Sequence, residues 1–287
     1  MRIMTVPLLA ALLAGCSQAA EQGATTGAPS FDGADYATED AKVAHGERIA
    51  DLLGCGSCHR EDYSGADFGE LIPLIDGLWA TNISRTLPNF SDEQLETLLR
   101  EGVHPERDIY LMPSRTSQFL SEADMDALIA YLRTIEPTGE PTPVPPEGFE
   151  DAVAERLPDD AWRIEEYGRK FYPNAEEEAD FYAKYRAPSL GENVERGRYI
   201  AAATCTSCHG PGLDGYGEAD GPVDGVLAYS DDEFETLLVE SVARDGRVLK
   251  AWWGAPHEGG KLTANERMDV LSYVRALAGQ RAEKSAD

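Results

Sequence analysis

The sequence predicts an all-α protein, two tandem helical domains joined by a proline-rich linker and an aromatic-rich segment. Three observations carry this. The pentapeptide C-x-x-C-H occurs twice, as Cys55-Gly56-Ser57-Cys58-His59 and Cys205-Thr206-Ser207-Cys208-His209. Each copy follows a similar run, Val43-Ala44-His45-Gly46-Glu47-Arg48-Ile49 before the first and Val194-Glu195-Arg196-Gly197-Arg198-Tyr199-Ile200 before the second. Each copy is also followed by an amphipathic segment, Leu120 to Arg133 and Leu262 to Arg275, and the two align without a gap. A repeat on this scale marks two copies of one folding unit.

The 287 residues are 42% hydrophobic, which is enough to bury a core in each unit. Against 25 Lys and Arg stand 52 Asp and Glu, a net charge of −27. No basic cluster is present to neutralise phosphates, so nucleic acid is excluded as a partner. The acidity is spread over every segment. It reads either as a solvating surface or as a field that steers a basic partner.

Taken in order, residues 1–15 read as a signal peptide, with Met1 and Arg2 ahead of an apolar stretch from Ile3 to Ala14 that is too short to span a bilayer. Leu13-Ala14-Gly15-Cys16 resembles the bacterial lipoprotein box, in which the chain is cut before the cysteine and its thiol carries diacylglycerol. The resemblance implies lipidation at Cys16 and a chain anchored on the periplasmic side of a bacterial membrane. Ser17, rather than Asp, follows the cysteine, which tilts the expectation toward the outer membrane. The alternative is an ordinary secretory peptide that leaves Cys16 as a lone thiol. Residues 16–37, rich in Ala, Gly, Thr, Gln and Ser, read as a flexible tether.

Residues 38–137 form the first domain: a helix carrying Gly46, the C-x-x-C-H turn, loops, a middle helix at Asp92 to Leu99 and a closing helix. Ser121 is its N-cap, with Asp124 at the capping-box position. C-x-x-C-H is the attachment motif of c-type haem. Its two cysteines add to the vinyl groups, and the adjacent His59 or His209 offers a proximal ligand to the iron. A single copy would also suit a redox dithiol or half a zinc site. Two copies in one repeated frame, in an exported chain, point to two covalently bound haem c groups held by Cys55, Cys58, Cys205 and Cys208.

This order of elements resembles class I cytochrome c, over about 38–137 and 190–281. The resemblance implies that a glycine of each first helix packs on an aromatic of the last, here Gly46 on Tyr131 and Gly197 on Tyr273. The first domain is further similar to the cytochrome c subunits of membrane-bound alcohol-type dehydrogenases, through Ala80-Thr81-Asn82-Ile83, Leu98-Leu99-Arg100-Glu101-Gly102-Val103 and Leu111-Met112-Pro113. That likeness implies that Asn82 lies near the haem propionates and that Met112 is the distal ligand. The plain alternative for Met112 is a core methionine.

Residues 138–189 are linker and packing segment. Five prolines fall between Pro137 and Gly148 and make a stiff connection. Trp162, Tyr167, Phe171, Tyr172, Phe181, Tyr182 and Tyr185 follow. They fit a pair of short helices packed across both domains, or a docking surface for a dehydrogenase.

The second domain, 190–281, repeats the plan, with Thr263 as N-cap and Glu266 at the capping-box position, and residues 282–287 are a tail. It departs from the pattern on the distal side. Gly254 aligns with Met112, and Lys250 to Glu258 contains no methionine. His257, behind Pro256, is the best replacement ligand; Lys250 and Lys261 are weaker, because an amine must first lose its proton. An open or water-bound iron beside Trp252 and Trp253 is the other reading. His45 and His104 read as structural.

The function these features predict is single-electron transfer by a dihaem cytochrome c, from a dehydrogenase or quinol-oxidising complex to an oxidase or soluble carrier. This is a carrier, or an electron-transfer subunit of an oxidoreductase, more than an enzyme. The alternative is an oxidoreductase whose second haem is an open catalytic site.

Overall fold

The computed structural model describes residues 28–70, 73–156, 174–215, 221–250, 257 and 261–286. The signal peptide, Cys16, Trp162, Tyr167, Phe171, Tyr172, Trp252 and Trp253 lie outside the described residues. The fold is all-α, with two similar helical domains in tandem.

In the first domain α1 (Glu39–Leu52) leads through Gly54 into α2 (Cys55–His59). A two-stranded antiparallel pair follows, β1 (Ala66–Asp67) with β2 (Trp79–Ala80), and then α3 (Ile83–Thr86), α4 (Asp92–Glu101) and α5 (Glu122–Leu132). Thr38 caps α1, a Ser91–Gln94 capping box opens α4, and Gly102, at φ 72°, closes it in the left-handed conformation.

The linker and packing segment contributes α6 (Phe149–Arg156) and α7 (Ala175–Lys184). The second domain repeats the first with α8 (Glu192–Thr204), α9 (Thr206–His209), α10 (Asp231–Glu240) and α11 (Ala264–Ala286). Because α11 runs through to Ala286, the tail expected at 282–287 is helical over its described part.

Each domain is organised by one helix crossing, α1 on α5 and α8 on α11. A Cβ added at Gly46 would lie 1.9 Å from the Ala127 carbonyl oxygen and 2.8 Å from Tyr131 Cβ. At Gly197 the same atom would lie 1.9 Å from the Asp269 carbonyl oxygen and 2.8 Å from Tyr273 Cβ. Only glycine permits this approach, so the Gly–Tyr pairings expected from the sequence are the crossings themselves. Ile49, Met125 and Leu128 fill the first core, and Ile200, Leu271 and Leu277 the second, as parts of one continuous apolar cluster.

The two domains meet across a strap that the sequence assigned to the tether. Within 16–37, residues from 28 onward are packed rather than free. Phe31 is 2% exposed, with its ring 5.4 Å from that of Tyr199. Its N–H donates to Asp124 Oδ2 at 3.0 Å, and the N–H of Asp32 donates to Glu266 Oε1 at 2.8 Å. Arg196 holds the Asp32 carboxylate and the Ser30 carbonyl. One aromatic anchor and one ion-paired carboxylate thus fasten a stretch whose composition alone is that of a linker. The proline-rich linker is likewise folded back on the first domain, where Arg85 Nε donates to the Gly139 carbonyl.

Candidate haem sites

The two C-x-x-C-H turns follow the same backbone path. Arg60, Tyr63 and Gly65 have φ of 65°, 58° and 83°, and their counterparts Gly210, Leu213 and Gly215 have 76°, 58° and 83°. In both, the carbonyl of the motif histidine accepts from the glycine six residues on, Gly65 at 3.0 Å and Gly215 at 2.8 Å. Each turn therefore closes on itself and fixes the histidine at its centre.

In the first site the helical turn of α2 sets Cys55 and Cys58 three residues apart. Burial pushes the Cys55 thiol up to about 11, and burial also raises Cys58 while the charge of Arg115 pulls it down. The His59 Nδ1–H donates to the Thr81 carbonyl at 2.8 Å, directly after β2, so Nε2 is left bare as a ligand. Burial lowers the pKa of His59, opposed by that hydrogen bond, and keeps the ring neutral as coordination requires. Met112 packs half-buried against the same apolar cluster as Cys55, after Leu111 at φ 57°.

Asn82 is 1% exposed and clamps the linker beside the site. Its Nδ2 donates to the carbonyls of Thr138 at 2.8 Å and Glu140 at 2.9 Å, and its Oδ1 accepts from Ser84 Oγ at 2.6 Å. Both amide hydrogens are thus committed to the protein's own backbone.

In the second site the His209 Nδ1–H donates to the Gly221 carbonyl at 2.7 Å, repeating the arrangement around His59. Burial raises the Cys205 thiol. The His257 ring lies parallel to that of His209, with 7° between planes and 6.3 Å between centres. Burial, helped by His209, pushes His257 down to about 4, and its buried Nδ1 has no hydrogen-bond partner. The His257 backbone N–H is tied to Ser241 Oγ at 2.9 Å. The second C-x-x-C-H turn and the His257 loop thus bring two imidazoles together, a candidate donor pair for one iron.

The lysine alternatives are placed elsewhere. Lys261 Nζ is paired with Asp51 Oδ1 at 2.8 Å, and Lys250 is exposed. His45 Nε2 lies 2.6 Å from Asp124 Oδ1 in the domain interface, and His104 Nδ1 accepts from the Glu106 N–H at 3.1 Å, both structural places.

Two thiols three apart beside an imidazole oriented by a backbone carbonyl, in each of two domains, form a donor set that fits haem c. Sequence reasoning gave no role to Thr81, Gly221, Arg115 or Glu178. The first two act through their carbonyl oxygens, which leave no side-chain signature, and the last two join distant segments.

Residues 43–136 match the family model described as "Cytochrome c", and residues 192–274 match "Cytochrome C oxidase, cbb3-type, subunit III". No curated protein matches the chain. Each match encloses one C-x-x-C-H turn and one glycine crossing, so the chain is a tandem of two cytochrome c domains, an electron-transfer protein of the haem c type.

Proposed function

We propose that this protein is a lipid-anchored, periplasm-facing dihaem cytochrome c that relays single electrons from a dehydrogenase or quinol-oxidising complex to an oxidase or soluble carrier. The observation that carries the reading is the parallel pair His209 and His257, which supports a capped second iron and so a relay rather than an open catalytic centre. The likeness of the first domain to the cytochrome c subunits of alcohol-type dehydrogenases supports a dehydrogenase as donor. Leu13-Ala14-Gly15-Cys16 supports the anchor.

Bound haem supplies reversible one-electron chemistry; the chain supplies ligands, burial and order. His59 and Met112 would hold the first iron, and the soft thioether would favour its reduced state. His209 and His257 would hold the second, where imidazole would give no such bias. The second domain would then be the point of entry and the first the point of exit. Electron paramagnetic resonance of the oxidised protein tests this. Two low-spin ferric signals are the expected result. A stoichiometric high-spin signal overturns the relay and puts an open second iron in its place.

A further inference from the structure

One guanidinium links the distal loop of the first domain to the haem turn of the second. Arg115 lies three residues beyond Met112, in the single turn Ser114–Thr116. That turn packs on α9, and Arg115 Nε donates to Ser207 Oγ of the second C-x-x-C-H turn at 3.3 Å. Its Nη1 pairs with Oε1 of Glu178, on α7. Tyr182, one turn along α7, lies under the guanidinium with its ring centre 5.5 Å from Cζ, and its hydroxyl donates to the Thr206 carbonyl at 3.3 Å. Gln118 Nε2 donates to the Ala179 carbonyl at 2.8 Å and seats α7 on the first domain. The side chains of Arg115 and Glu178 are only 21% and 10% exposed. Their charges are therefore screened far less than surface charges and act over longer distances. Glu178 Oε2 is buried and has no hydrogen-bond partner among the described residues, which leaves Arg115 as the group there that compensates this carboxylate.

We propose that the Arg115–Glu178 pair is an electrostatic bridge between the two haem sites that sets both reduction potentials together. It rests on the dihaem reading above and adds a positioning role for two residues that ligate nothing. A reduced centre carries one positive charge fewer than an oxidised one. The Arg115 cation, beside the second thioether turn and three residues from Met112 of the first site, therefore favours reduction at both, and the Glu178 anion tempers that preference. The pair also joins the distal loop of the first domain to the attachment turn of the second, so the charge that biases one centre biases the other.

The test is a potentiometric titration of the haem-loaded full chain and two variants, with circular dichroism and thermal unfolding to establish the fold. Read above pH 7, where Glu178 is ionised, Arg115→Gln is expected to lower both potentials, and Glu178→Gln to raise both. Each shift corresponds to roughly a tenfold change in the reduced-to-oxidised ratio at fixed solution potential. A residue with a merely structural role gives no such opposition of sign. Shifts of one sign, shifts confined to one haem, or no shift in a folded protein overturn the bridge. Should Arg115→Gln not accumulate, Arg115→Lys keeps the charge and is expected to keep both potentials, and the direction of the Glu178→Gln shift decides alone. Haem content separates the two levels: fewer than two haems per chain overturns the dihaem reading, whereas two haems with unmoved potentials overturns only the bridge.

Discussion

Arg48 and Tyr199 occupy equivalent places two residues after the crossing glycine of their domains, and each reaches across to the carboxylate that opens the other domain's closing helix. Arg48 pairs with Glu266, and the Tyr199 hydroxyl donates to Asp124. Between them the adjacent N–H groups of Phe31 and Asp32 donate to the same two carboxylates. Asp124 and Glu266 are both 0% exposed, so each survives burial only because several donors converge on it. The strap is thus part of the interface, not an approach to it. Phe31→Ala is expected to cost about 3–5 kcal/mol by removing its only large apolar anchor. Denaturant unfolding followed at both haems checks this. The second domain should be affected as much as the first, because the ring rests on Tyr199.

Gly46→Ala and Gly197→Ala each drive a methyl group into a helix carbonyl. Overpacking of this kind costs about 1–3 kcal/mol, and more where backbone must yield. Each variant is expected to loosen its own domain first. Thermal melting followed separately at the two haem signals should show Gly46→Ala releasing the first at the lower temperature and Gly197→Ala the second. Simultaneous loss in both variants would contradict a separate crossing for each domain.

His257→Ala should leave the first haem unchanged and convert the second from low to high spin. His257→Met should keep the second iron low-spin and raise its potential, since a thioether replaces an imidazole. Paramagnetic resonance with a redox titration reads both outcomes. Unchanged signals in the folded His257→Ala protein would remove His257 as a ligand.

Cys16→Ser should move the protein from the membrane to the soluble fraction, with its haem spectrum intact. Fractionation after labelling with radioactive fatty acid checks this. A variant that stays with the membrane would show that the anchor lies elsewhere.

Much of this was legible in the chain because its chemistry is local. A C-x-x-C-H turn needs residues at fixed spacing, and the Gly46–Tyr131 and Gly197–Tyr273 crossings recur in register. The strap was not legible. Phe31 looks like one apolar residue in a linker until Tyr199, far along the chain, supplies its contact. The clamp that Asn82 makes on the linker was not legible for a similar reason, because its partners are backbone carbonyls of Thr138 and Glu140, which no side chain announces. Asp124 reads as a capping-box residue. Ser121 Oγ does accept from its N–H at 3.2 Å, but its carboxylate is turned to His45, Phe31 and Tyr199 instead of back to the Ser121 N–H, which finds the Tyr199 hydroxyl at 3.1 Å.

Glu178 makes the protein sensitive to pH near neutrality. Burial raises its carboxyl from 4.5 to about 7, against the pull of Arg115. Of the other elements around it, α4 packs on α7, and its Arg100 is committed to Glu96, Glu122 and the Leu120 carbonyl. A carboxyl whose folded pKa lies above its unfolded value contributes stability that is complete below the unfolded value and is lost as pH rises through the folded one. The contribution is therefore whole below about 4.5 and gone above about 7. Glu178→Gln cannot ionise, so its stability relative to the natural chain should rise by up to about 3 kcal/mol between those limits. Denaturant unfolding at a series of pH values checks this, and a difference that stays flat would contradict it. The same ionisation cancels the charge of Arg115, so both haem potentials should fall as pH rises through 7, and less steeply in Glu178→Gln.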